Sequence, residues 1–169
     1  MVRLAAWISL AAMLGACATP VPYDYTAFKQ NRPVSMLVLP PVNDSPDVKA
    51  SRAVLAQSTL PLAEAGYYVL PVTLVDETFR QNGLTEAAEI QQVSAAKLRE
   101  IFGADAAVYI RVKKYGTTYM VIASETVVSV EGRIVDLRTG QLLWQGSAHA
   151  SSAENDGGNQ AGKAHEVPP

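Results

Sequence analysis

The sequence holds one cysteine, Cys17, at the end of an N-terminal apolar run. A lone thiol cannot close an intrachain disulfide, so its chemistry has to be read from its position. Arg3 gives a positive start and Leu4 to Met13 an apolar core; Leu14, Gly15 and Ala16 follow, the last two small enough to leave the backbone open to a signal peptidase. Elsewhere the search for reactive groups finds little. His149 falls on a predicted strand and His165 in a polar C-terminal stretch, which suits surface residues better than a base or metal pair. Asp76 and Glu77 are adjacent, so on a helix they diverge and cannot share a proton. Glu125, Glu131 and Asp136 lie on a β-rich segment, with Arg111, Lys113 or Arg133 as cross-strand partners. There is no P-loop, dinucleotide glycine pattern, nucleophile elbow or zinc spacing, and the serines lack a candidate base. No catalytic or metal-binding residues are assigned, and a non-enzyme is expected. Tyr109, Tyr115 and Tyr119 cluster around a predicted hairpin; they are either a partner-binding surface or ordinary strand filling. Lys113-Lys114 reads as a guard on an edge strand.

The run Leu14-Gly15-Ala16-Cys17 resembles the lipobox of bacterial lipoprotein precursors. The resemblance implies that residues 1–16 are a signal peptide cut between Ala16 and Cys17, with Leu14, Gly15 and Ala16 read by the peptidase. It also implies that the Cys17 thiol is diacylated through a thioether and the new amino group acylated. This covalent lipid is the one non-protein group expected; no cofactor is. A spanning anchor is the first competing reading, but Leu4 to Ala18 falls short of the roughly 20 residues needed. An ordinary secretory signal with a coincidental cysteine is another. A buried core helix is the third, yet such a helix should alternate faces and this run is apolar all round. Burial of acyl chains contributes about 0.8 kcal/mol per CH₂, so three chains hold where one is reversible. Ala18, rather than Asp, follows the cysteine; by analogy with enteric lipoproteins this places the protein on the periplasmic face of the outer membrane.

With 169 residues, 49% hydrophobic content and net charge −2, the rest suffices for one domain. No basic stripe is present to neutralise phosphates, which excludes nucleic acid as an expected partner. Residues 17–33 are the lipidated N-terminus and tether. Pro20, Pro22 and Pro33 disfavour helix and predict extended chain, spanning roughly 20 Å over residues 18–32 if flexible. Alternatively Tyr23, Tyr25 and Phe28 dock onto the domain as a strap. Residues 34–152 are an α/β (α+β) periplasmic domain: a β-α-β start, then an antiparallel β-meander, in a mixed sheet with helices packed on it. A strand buried on both faces runs from Val34 towards Pro40. A helix follows from Val48, which Pro61 should kink or divide, and Gly66 closes it. Tyr67 to Leu70 returns parallel through a right-handed crossover. Helical pieces over 72–81, from Thr85, and over 95–102 (capped by Ser94, stopped by Gly103) suit one face of the sheet. Strands are expected over 106–114, 119–122, 126–137 and 141–149, with turns at Gly116-Thr117 and Asp136–Gly140. Residues 153–169 read as a disordered tail.

Met36-Leu-Val-Leu-Pro-Pro-Val-Asn43, Leu62-Ala-Glu-Ala-Gly-Tyr-Tyr-Val-Leu-Pro71, Phe102-Gly-Ala-Asp-Ala-Ala-Val108 and Asp136-Leu-Arg-Thr-Gly-Gln-Leu-Leu-Trp144 occur together. In that combination the chain resembles a family of bacterial outer-membrane lipoproteins of unknown function, whose neisserial member is a genome-derived vaccine antigen. The resemblance implies a periplasmic domain like the N-terminal domain of TolB. That fold also serves in lipoproteins that activate peptidoglycan synthases and in components associated with the secretion channel CsgG. Family members continue with a further helical segment, so a truncated or frameshifted C-terminus is expected here. The expected role is a non-enzymatic adaptor in envelope assembly or secretion, of the CsgG-associated type, with envelope or secretion proteins as partners and the membrane reached through the lipid. An activator of a peptidoglycan synthase is the alternative among binding proteins; an envelope hydrolase or small-ligand sensor is the alternative of another class. Oligomeric state is not fixed by the sequence.

Overall fold

The structure, a computed structural model, describes residues 23–119 and 124–152, with backbone alone at 118, 119 and 124. Cys17, the Leu14-Gly15-Ala16 signal, His165 and the predicted tail therefore lie outside the described residues. The elements are α1 (Thr26–Asn31), β1 (Ser35–Val38), β2 (Val42–Asn43), α2 (Ala50–Glu64), β3 (Tyr68–Val69), α3 (Val72–Gln81), α4 (Ala87–Ile90), α5 (Ala95–Phe102), β4 (Ala106–Tyr119), β5 (Ser124–Asp136) and β6 (Leu142–Ser151). They build one mixed sheet in the order β3-β1-β4-β5-β6, with β2 also paired to β4. The β-α-β start is present: β1 runs parallel to β3 and to β4. The antiparallel meander β4-β5-β6 follows.

Strand β1 is central because it is apolar from Met36 onwards. Met36, Leu37, Val38 and Leu39 are at most 1% exposed, so β1 faces a helical layer on either side. Over one face, α3, α4 and α5 bring Val75, Phe79, Ile90 and Leu98 onto Leu37, Leu39, Ala107 and Tyr109. The three helical pieces do share a face, as their periodicity predicts. Ser94 caps α5 by accepting from the Lys97 amide, and Gly103 ends it in the left-handed region at φ 66°. Over the other face, α1 and α2 place Phe28 and Leu62 against Met36, Val38, Ala106, Val108 and Ile134.

Several local expectations are corrected. Residues 26–31 are helical, not extended, and Phe28 is buried, so the strap alternative holds from Tyr23 onwards. None of the three prolines falls inside 26–31, and Arg32, in the left-handed region at φ 43°, ends the helix before Pro33. Pro61 does not divide α2, which continues to Glu64; α2 itself begins at Ala50, and Val48 stays exposed. The expected Gly116-Thr117 turn is absent: β4 runs through both residues, which pair with Val127 and Thr126. Pairing continues to Tyr119 and Ser124, and the remainder of the expected 119–122 strand lies outside the described residues. The short strand β2 is an addition to the expected elements; its Asn43 opens the run Asn43-Asp44-Ser45-Pro46, whose residue types favour a turn.

Two carboxylates fasten the layers. Asp105 Oδ2 accepts from the Val34 amide at 3.0 Å and from the Ser35 amide and hydroxyl, both at 3.2 Å. Burial pushes its pKa up, but these hydrogen bonds outweigh burial and hold it below the usual carboxylate range. Asp136 is fully buried at the β5–β6 turn and accepts from the amides of Arg138 and Thr139 and from the Arg138 guanidinium at 2.7 Å. Burial is again opposed and overcome, and its pKa is lowered. Its partner is Arg138 within the turn, and not the cross-strand cation the sequence suggested. Arg138 also donates to the Asn31 carbonyl at 2.8 Å, tying α1 to the turn.

Candidate functional site

Beyond Ile110 the meander outruns most of the helices that cover its base. There β4 carries a register shift between Val112 and Lys114. The extra residue reverses the alternation, so Tyr115 joins Val108 and Ile110 on the α2 side while Tyr109 points to the other side. The expected tyrosine surface is therefore not assembled. Tyr109 is 7% exposed and belongs to the α3–α5 core, where burial raises its pKa. Tyr115 is half-buried, and the side chain of Tyr119 lies outside the described residues.

Between α2 and the open part of the meander runs an apolar groove of about 780 Å³. Ala53, Val54, Ala56 and Pro61 line it from α2; Ile110, Tyr115, Val128, Val130, Trp144 and Ala148 line it from the sheet. The α2 wall is uncharged because no ionisable residue occurs between Arg52 and Glu64. Glu131 is the one carboxylate on the lining.

Trp144 shapes one end. Its ring lies over a cross-strand glycine pair, Gly132 and Gly146. A Cβ at Gly146 would fall 2.6 Å from Trp144 Cζ2, and one at Gly132 would fall 3.3 Å from Cζ3. The indole Nε1 is buried without a hydrogen-bond partner. Tyr23 of the strap stands beside it with ring centroids 6.5 Å apart, and its hydroxyl accepts from the Gln145 amide at 3.0 Å. Sequence reasoning missed Trp144. Glycines in the middle of two adjacent strands were the available signal, since a strand interior keeps glycine where something else must come close.

The other predicted charges are placed as surface structure. Arg111 and Lys113 both pair with Asp44, at 2.9 and 3.0 Å. The β2 pairing of β4 ends at Val112, so Lys113 and Lys114 stand where that edge becomes free. Glu77 pairs with Arg80 while Asp76 stays exposed. His149 is exposed on β6 opposite Ser129. Among the described residues no group of three His, Cys, Asp or Glu could hold a metal, and no helix is long and apolar enough to cross a membrane. On the face opposite the groove lies a polar cleft of about 660 Å³ lined by Tyr109, Arg111, Glu131, Arg133, Gln145 and Ser147.

The model of the family described as "Putative lipoprotein GNA1162-like" matches residues 23–166. The chain belongs to that family. Among its relatives, "Putative lipoprotein NMB1124/NMB1162" of Neisseria meningitidis is 50% identical over 153 residues, covering 88% of this chain and 71% of the relative. The crystal structure of lipoprotein GNA1162 from Neisseria meningitidis is 52% identical, with TM-score 0.68 over 71% of this chain and 83% of that one. More distant structures share the fold alone. Escherichia coli LpoB, solved by NMR, is 14% identical with TM-score 0.52, covering 79% of this chain and 72% of its own. The PelC dodecamer of Paraburkholderia phytofirmans is 15% identical with TM-score 0.51, covering 72% of this chain and 73% of that one. The groove and the glycine-seated tryptophan are thus features of a lipoprotein-family domain, built on the mixed α+β fold its sequence predicted.

Proposed function

We propose that this family member is anchored by acyl chains on Cys17 to the periplasmic face of the outer membrane and acts as a non-enzymatic adaptor in envelope assembly or secretion. Its groove takes an apolar segment of a secretion or assembly protein. The observation that carries this reading is the predominantly apolar lining between α2 and the meander, with an uncharged α2 wall. A hydrolase or a sensor of polar ligands would need convergent titratable groups there, and Glu131 stands without a second carboxylate on that lining. A concave apolar lining suits burial of a partner's apolar side chains, and tyrosine and tryptophan are favoured anchors at such interfaces.

The test is site-specific photo-crosslinking in intact cells from Gln57, on the groove wall, and from Lys97, on the α5 side. Capture of a secretion-channel or assembly component from Gln57 and not from Lys97 is expected. Capture of a cell-wall synthase instead would replace the adaptor reading with that of a synthase activator. Equal capture from both positions, or none from Gln57, overturns the groove as a docking site. The anchor has its own check: Cys17→Ser should abolish palmitate labelling and release the protein from the membrane fraction.

A further inference from the structure

The polar cleft on the opposite face is laid out in two rows by strand register. Tyr109, Arg133 and Gln145 stand side by side across β4, β5 and β6, and Arg111, Glu131 and Ser147 form the next row. The rows are two residues apart along each strand, about 7 Å at 3.3–3.4 Å per residue. Exposed charges so arranged usually neutralise one another across strands. Here they do not. Arg111 is drawn away to Asp44 at 2.9 Å, leaving Glu131 without an ion pair among the described residues. Arg133 also has no carboxylate partner among them; its guanidinium carbon instead lies 4.4 Å from the centroid of the buried Tyr109 ring. Stacking on an aromatic face leaves the guanidinium edge free and fixes its plane, the preorganisation that bidentate carboxylate binding requires. The side chains of Gln145 and Ser147 likewise form no hydrogen bond among the described residues, and both line the cleft. The Gln91 amide group closes the inner wall by donating to the carbonyls of Pro40 and Ile110 at 2.9 and 3.0 Å.

We propose that this cleft binds a zwitterionic ligand of dipeptide size, its carboxylate on Arg133 and its ammonium on Glu131. Two extended residues span at most about 7 Å, which matches the separation of the two rows. Gln145 and Ser147 supply the donors and acceptor that the intervening amide needs. The site opens on the other face of the sheet from the groove, the two being divided by the strands at Ile110, Glu131, Gly132, Gly146 and Ser147, which border both.

The experiment is calorimetric titration of the full mature protein with alanylalanine, its C-terminal amide and its N-acetyl form. The free dipeptide should bind, and both blocked forms should bind about tenfold more weakly, one charged contact being lost in each. Arg133→Gln should weaken the free dipeptide about tenfold. Glu131→Gln should weaken the free dipeptide while leaving the N-acetyl form unchanged. Circular dichroism on both variants verifies folding, which their exposure should preserve. Absence of saturable binding at millimolar dipeptide, equal binding of the amide, or an unchanged Arg133→Gln affinity would each overturn the assignment.

Discussion

The two faces of the sheet are covered differently, and the difference separates what holds the domain together from what is left for binding. On the α3–α5 side Leu37, Leu39, Phe79, Ile90 and Leu98 are all at most 2% exposed, and the layer is sealed up to Gln91. On the α1–α2 side Met36, Val38, Ile134 and Leu143 are as well buried, but Tyr115, Val128 and Val130 are half-exposed along the groove. One closed face is enough to fix β1 and β4, which leaves the second face free to stay open. Truncation should therefore cost far more on the closed face. Phe79→Ala, with the ring 2% exposed and 5.2 Å from that of Phe102, should lose about 3–5 kcal/mol in urea unfolding. A loss under about 1 kcal/mol would show that the α3–α5 layer is not the stabilising one.

The Asp136 turn joins the two faces, because Arg138 reaches from it to α1, the partial cover of the open side. Asp136→Asn removes a buried charge that collects several donors and should cost roughly 1.5–3 kcal/mol. The pH dependence follows from the lowered pKa. A carboxyl lowered on folding stabilises fully above its unfolded value of about 3.9, and that stability is lost as pH falls through the folded value. Unfolding midpoints of the wild type and the variant should accordingly converge below about pH 4. A constant gap across that range would mean that the charge is not what holds the turn.

Local signals carried most of the fold and little of the site. Ser94, Gly103 and Gly66 act where their chemistry predicts, and the apolar run at Met36 to Leu39 is central as its pattern requires. Gly116 misled because a glycine beside a threonine satisfies a turn and a strand equally; cross-strand pairing with Val127 decided it. The tyrosine cluster failed for a different reason. A strict alternation puts Tyr109 and Tyr115 on one face, and a single extra residue near Lys113 moves them apart. The bulge shows only once the strands are paired, and of the Trp144 seat the sequence carries just the two mid-strand glycines, Gly132 and Gly146, without the ring they receive.

That seat offers a smaller perturbation confined to the open face. At Gly146 an added methyl would meet the indole at 2.6 Å and force it to move, whereas at Gly132 the 3.3 Å approach asks only a slight shift. Gly146→Ala should destabilise by about 1–2 kcal/mol and shift the Trp144 emission spectrum, with Gly132→Ala milder on both measures. Equal effects at the two positions would contradict the geometry of the ring.

The smallest expected effect on stability is the one that tests why the open face is open. Val130 is half-exposed in the groove, so Val130→Thr should change the unfolding free energy by less than about 1 kcal/mol. Its hydroxyl nevertheless enters a lining that offers few polar partners, and an apolar occupant would leave it unpaired. Photo-crosslinking from Gln57 should then fall sharply in a protein that folds as well as its parent. If capture persisted unchanged, the exposure of Val128, Val130 and Tyr115 would be incidental, and the contrast between the faces would be one of packing alone.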